Sequence, residues 1–105
     1  MTDSMSYFVY ILNCSDSSYY VGVTNNVEKR VWEHNQGIVP GYTSKRKPVR
    51  LVYYQEFLEI NEAIAFEKQL KGWRRAKKEA LIKNNIEELK KLSDSYNSHP
   101  SSSSG

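Results

Sequence analysis

Cysteine is nearly absent: Cys14 is the sole thiol in 105 residues, which excludes an internal disulfide and any multi-cysteine zinc site. Proline and glycine are also scarce, at three and five residues, and four of these eight fall between Gly37 and Pro48. No apolar run approaches the roughly twenty residues a membrane helix needs. The start, Met1-Thr2-Asp3-Ser4-Met5, lacks the basic and apolar character of a secretory signal. A cytoplasmic location and no membrane contact are the simplest expectation. What is present fits one globular domain with a modest core: 39% hydrophobic and 26% charged residues in 12.2 kDa.

Charge is mildly basic, +3 overall, but unevenly spread, with eleven of the fifteen Lys and Arg lying between Lys45 and Lys83. One group is Lys45, Arg46, Lys47 and Arg50, and the other runs from Lys68 through Lys71, Arg74 and Arg75 to Lys83. Such clustering suits a polyanion-binding face, or equally a set of solvated helix faces.

The chain is organised around Tyr7 to Thr24, YFVYILNCSDSSYYVGVT, in which two aromatic and β-branched runs flank a polar turn cluster. If the five residues from Cys14 to Ser18 leave Asn13 opposite Tyr19, then Tyr10 faces Gly22 and shares its side of the sheet with Tyr20. Glycine weakens a strand interior, so Gly22 needs a reason, such as close approach of a ligand or another backbone. Two readings stand: a tyrosine-rich core, or two phenols beside a bare backbone patch.

Downstream, Asn25 with Glu28 predicts a capping box for a helix running to Gln36, with Val27 and Val31 inward and Gly37 as its stop. Arg30 and His34 share a face of that helix. Residues 37–48 read as a loop and Val49–Phe57 as a third strand, Leu51 and Tyr53 facing opposite to Val52 and Tyr54. A helix capped by Asn61 follows, with Ala63, Ile64, Phe66 and Leu70 apolar. Glu67 borders that apolar side, where an unpaired carboxylate is costly, so it calls for a cation: a basic side chain such as Arg30, or a metal ion. Gly72-Trp73 breaks the chain. Residues 74–83 form a basic helix with Ala76, Ala80 and Leu81 inward, and Asn85 opens a short helix burying Ile86, Leu89 and Leu92. Both tryptophans, Trp32 and Trp73, are expected to pack. Residues 1–6 read as a loose leader, 7–92 as the domain, and 93–105 as a Ser-rich disordered tail.

Phe8-Val9-Tyr10, Tyr20-Val21-Gly22, Arg30, His34 one turn later and Glu67 on a later helix resemble the GIY-YIG endonuclease family, particularly its small stand-alone members. The resemblance runs from Tyr7 to about Ile82. It implies an α/β domain of the α+β type: a small three-stranded antiparallel sheet flanked by helices, in the order β-β-α-β-α-α. It also implies a divalent-metal-dependent phosphodiesterase acting on DNA, chosen by structure or damage rather than sequence, with a role in repair or recombination. By this resemblance Tyr10 and Tyr20 hold the water and phosphate region, Gly22 is the motif glycine, Arg30 is the catalytic arginine, and His34 falls where members carry His or Tyr. Glu67 matches the single metal-binding glutamate, for one Mg²⁺ or Mn²⁺ held weakly until substrate completes its shell. Tyr20 is the preferred general base, with His34 as the other candidate. Lys45, Arg46, Lys47, Lys71, Arg74 and Arg75 are expected to meet DNA. Two departures stand out: the first motif reads Phe-Val-Tyr, and Val23 follows Gly22 where some repair members place a basic residue. A non-catalytic nucleic-acid-binding module, or an adaptor whose basic helices meet an acidic protein, is the alternative.

Overall fold

A central strand with both faces covered explains most of the architecture. In the computed structural model, which describes residues 5–85, β1 (Tyr7–Asn13) lies between β2 (Tyr19–Thr24) and β3 (Arg50–Phe57), both antiparallel to it. Val9, Tyr10, Ile11 and Leu12 are all essentially inaccessible to solvent. Polar–apolar alternation therefore cannot set the register of β1, because a slip by one residue would exchange one buried set for another. The turn sets it. Cys14 and Ser18 close the hairpin through a 2.8 Å backbone bond, and the Asp16 carboxylate accepts the Ser18 N–H at 3.0 Å. Asn13 consequently faces Tyr19, and Tyr10 faces Gly22, as the loop length predicts.

Helix α1 (Val27–Gln36) covers the Tyr10 face, where Tyr10, Leu12, Cys14 and Val49 form a core against which Tyr20, Val31 and Leu51 pack. Its cap is one residue later than expected: Asn26, not Asn25, accepts the Lys29 N–H at 3.0 Å. Gly37 closes it in the left-handed conformation, φ 77°, with Ile38 N–H bonded back to Glu33 at 3.1 Å. Trp32 was expected to pack but is 57% exposed, because it lies about 100° round the helix from Val31.

Residues 37–48 are not all irregular, since Tyr42–Lys45 forms one 3₁₀ turn. In β3, Leu12 pairs with Leu51 and Tyr10 with Tyr54, so a bulge at Val52 places Leu51 and Tyr54 on one face, against the alternation expected. Helix α2 (Ile60–Lys71) covers the opposite face, where Phe66 meets Phe57 with ring centroids 5.5 Å apart. Ala63 and Leu70 are buried as expected, whereas Ile64 is exposed. Glu59, not Asn61, occupies the cap position, and its side chain makes no capping bond.

Residues through Trp73 form one unit, and a second begins at Arg74. Its described part contains a helix over 75–85, α3, in which Ile82 is buried while Ala76 and Ala80 are exposed, contrary to expectation. Residues 1–4 of the expected leader at 1–6, the helix packing Ile86, Leu89 and Leu92, and the tail at 93–105 lie outside the described residues.

Candidate active site

Tyr10 projects from β1 across the bare backbone of Gly22 on β2. A Cβ added to Gly22 would lie 2.5 Å from the Tyr10 hydroxyl and 2.7 Å from Cζ, so the glycine is what lets the phenol lie there. The approaching group is thus a side chain of the neighbouring strand. The hydroxyl sits 3.0 Å from Nε2 of His34, whose Nδ1 sits 2.7 Å from Oγ1 of Thr43. His34 is the buried residue of α1, fully removed from solvent, and Thr43 comes from the 3₁₀ turn. One buried polar chain therefore links β1, α1 and the segment after α1.

Burial pushes the Tyr10 hydroxyl up to about 12, with the Arg30 guanidinium beside it working in the opposite direction. Burial and the charge of Arg30 hold the His34 imidazole below its usual 6.5, so the ring is neutral at physiological pH. This bears on stability. The unfolded chain takes up a proton at this histidine as pH falls through about 6.5, while the folded ring resists it, so acid favours unfolding. The melting temperature should fall between pH 7.5 and pH 5, and His34→Gln should flatten that slope. Asp16, also held low by its bonds from Ser18, titrates below 3.8 and outside this window.

Arg30 pairs with Glu33 one turn away, at 3.2 Å, and lines a polar cleft of about 190 Å³ with Thr24, Asn25, Asn26 and Lys29. Its Nε is buried without a hydrogen-bond partner among the described residues. Glu67 is close enough for its charge to raise the Tyr10 pKa, although α2 lies on the other face of the sheet. Its cation is Lys71, at 2.8 Å, and not Arg30. That pair is wet, with Lys71 more than half exposed, so it is a weak surface bridge rather than a locked one. Tyr20 sits beside His34 at a ring separation of 5.1 Å and within electrostatic range of Lys71. Tyr10, Tyr20 and His34 thus gather on the α1 face of the sheet, with Arg30 one turn before His34, while Glu67 acts on Tyr10 through its charge from α2.

The basic residues fare differently. Lys45 and Lys47 are exposed. Arg46 is held internally: it donates to Asp16 at 2.9 Å and to the Tyr42 carbonyl at 2.7 Å, tying the hairpin turn to the 3₁₀ turn. Its guanidinium also covers the Tyr42 ring at 3.9 Å, and Tyr42 in turn stacks on Tyr20 with centroids 6.2 Å apart. Arg74 and Arg75 belong to the second unit, where Arg75 pairs with Glu79 at 2.9 Å. Thr43 and Tyr42 were missed from sequence, since nothing in GIVPGYTSKRKP marks one hydroxyl over another, and Glu33 was missed because it reads as one more charge along α1.

Among the described residues no three His, Cys, Asp or Glu side chains cluster around one point that could hold a metal ion. Of the expected site residues, Glu67 is the carboxylate. A single carboxylate fits a hard cation that keeps most of its water shell, such as Mg²⁺, and does not fit an ion requiring a protein cage.

The GIY-YIG catalytic domain profile matches residues 6–80. The chain belongs to the GIY-YIG family. Family membership implies a nuclease-type hydrolase. The chain is 38% identical over 90 residues to a UPF0213 protein of Listeria innocua, covering 86% of this chain and 100% of that one. It is 45% identical over 78 residues to a UPF0213 protein of Staphylococcus aureus, covering 74% and 95% respectively. Two structures solved by solution NMR are similar. The UPF0213 protein BH0048 from Bacillus halodurans gives a TM-score of 0.51 at 40% identity, over 75% of this chain and 84% of that one. The protein EF2693 from E. faecalis gives 0.55 at 34% identity, over 82% and 92%. The expected β-β-α-β-α-α order is the order of this chain. No helix among the described residues is long and apolar enough to cross a membrane.

Proposed function

We propose that this GIY-YIG protein is a divalent-metal-dependent endonuclease that hydrolyses DNA phosphodiesters, choosing its substrate by structure or damage rather than by base sequence, with a role in DNA repair or recombination. The observation that carries the reading is Arg30: a guanidinium whose charge acts on the Tyr10 hydroxyl, lining a polar cleft, with a buried Nε that no described protein group accepts. A buried donor of this kind is costly unless an anion meets it, and a phosphate oxygen is the anion the fork geometry suits.

The chemistry divides among the site residues. Arg30 follows the charge that builds on the phosphate. Tyr10, kept a neutral phenol by burial, positions the phosphate region and cannot serve as base. His34 has no route to the attacking water, because it is fully buried with both ring nitrogens occupied. Tyr20 is the phenol that reaches solvent, and it takes the water's proton. Glu67 would hold the metal, with Lys71 displaced from it. When bound, the ion supplies Lewis-acid stabilisation of the charge on the phosphate and the leaving oxygen. Contacts made chiefly to phosphate give binding that weakens steeply with salt and reads little sequence.

The test uses the purified chain on duplex, flapped, branched and single-stranded DNA, with Mg²⁺, Mn²⁺ or chelator. Cleavage of at least one substrate is expected, abolished by chelator and by Glu67→Gln. Tight DNA binding with no cleavage under either metal would overturn this reading in favour of a non-catalytic binding module. A protein partner is not required for any step above.

A further inference from the structure

The buried chain at the site has a direction, and Arg30 sets it. A guanidinium is cationic and never accepts, and Arg30, one turn before His34 on α1, acts with its charge on the Tyr10 hydroxyl, so the phenol turns its oxygen lone pairs rather than its hydrogen that way. The phenol's own hydrogen then has to point elsewhere, and the polar atom within reach is Nε2 of His34, at 3.0 Å. A neutral imidazole carries one N–H. If Nε2 accepts, the hydrogen is on Nδ1, which lies 2.7 Å from the Thr43 hydroxyl. Each bond thus runs one way, from Tyr10 to His34 and from His34 to Thr43, with the charge of Arg30 setting the direction. His34 and Thr43 are respectively 0% and 1% exposed, so water cannot reorder them. The neutral ring that this requires agrees with the effect of burial and of Arg30 on His34, which Glu33 opposes.

We propose that Thr43 is the positioning residue of the site: by accepting Nδ1–H it fixes His34 in the tautomer whose bare Nε2 holds the Tyr10 hydrogen, which keeps a Tyr10 lone pair turned towards Arg30. The other tautomer would donate from Nε2 to the phenol, turning the phenol hydrogen towards a guanidinium that has no lone pair to receive it. The effect on turnover rests on the nuclease reading; the tautomer does not. Thr43 reaches this position because the 3₁₀ turn at Tyr42–Lys45 is anchored by Arg46, whose N–H bonds the Thr43 carbonyl at 3.0 Å and whose carbonyl receives the Ser15 N–H at 2.9 Å.

The experiment is ¹⁵N NMR of the histidine rings, recorded on wild type, Thr43→Val and Thr43→Ser, alongside DNA cleavage by each. Wild-type His34 should show a protonated Nδ1 and a bare Nε2. Valine keeps the volume and branching but removes the acceptor, so the resonances should shift to the Nε2–H form or to a mixture. Serine should restore the wild-type pattern. On the cleaved substrate, kcat should fall on the order of 10-fold to 100-fold in Thr43→Val, the range seen when a partner orienting an imidazole is lost, with DNA affinity unchanged. An Nε2–H ring in wild type overturns the proposal, and that spectrum needs no variant to fold. So does a Thr43→Val ring indistinguishable from wild type. If wild type cleaves nothing, the nuclease reading fails, while the spectra still decide the tautomer.

Discussion

Gly22→Ala should disable the site without removing any of its polar groups. The added methyl would lie 2.5 Å from the Tyr10 oxygen and 2.7 Å from Cζ. Turning the phenol about its own axis moves neither atom, since both lie on that axis. Relief therefore requires the whole ring to swing, and the ring is wedged in a core with Leu12, Cys14 and Val49. Overpacking of this kind costs about 1–3 kcal/mol. A swing that parts the phenol from His34 leaves a buried ring nitrogen unsatisfied, at a further cost of about 1–3 kcal/mol. Each kcal/mol lowers the melting temperature of a domain this size by roughly 4–8 °C, so thermal unfolding resolves the effect. Tyr10→Phe provides the coupled test. It removes the nearest clashing atom, so the double variant should be destabilised by less than the sum of the two single changes. Unaltered melting of Gly22→Ala would mean that the strands do not approach as described.

How much of this was legible beforehand depends on which physical constraint was local. The hairpin register was, because five loop residues and one glycine opposite one tyrosine leave little choice. The end of α1 was equally local, since Gly37 takes the left-handed conformation that other residues avoid. Its start was uncertain by one residue because Asn25 and Asn26 are chemically identical candidates, and only the backbone at 26 decides. Glu67 was legible as a carboxylate at the edge of the apolar stripe. Its partner was not, because Lys71 competes for it by proximity along the helix while Arg30 is taken by Glu33. The bulge at Val52 leaves no mark on an alternating sequence, and exposing Ala76 or Ala80 costs too little to betray itself. Thr43 was the largest omission. A sequence reader can ask what satisfies the second nitrogen of a buried histidine, but only once its burial is known.

Arg30→Ala should cost the most in rate and little in stability. The side chain is about two-fifths exposed, and its ion pair to Glu33 is solvent-accessible, so removing it should shift unfolding by less than about 1 kcal/mol. The loss falls on chemistry instead. A preorganised donor aimed at developing charge is typically worth about 10²–10³ in kcat. Arg30→Lys keeps the charge but not the planar fork, and should recover only a small part of that rate. Two readouts besides turnover follow the same substitution. Removing the cation removes one of the two influences that hold the His34 pKa low, so that pKa should rise towards 6.5 in Arg30→Ala. The Tyr10 hydroxyl, which Arg30 restrains, should become still harder to ionise. The His34 shift is measurable by NMR titration on a folded variant without substrate. Cleavage by Arg30→Ala at the wild-type rate would remove the guanidinium from the mechanism, and with it the observation on which the nuclease assignment stands.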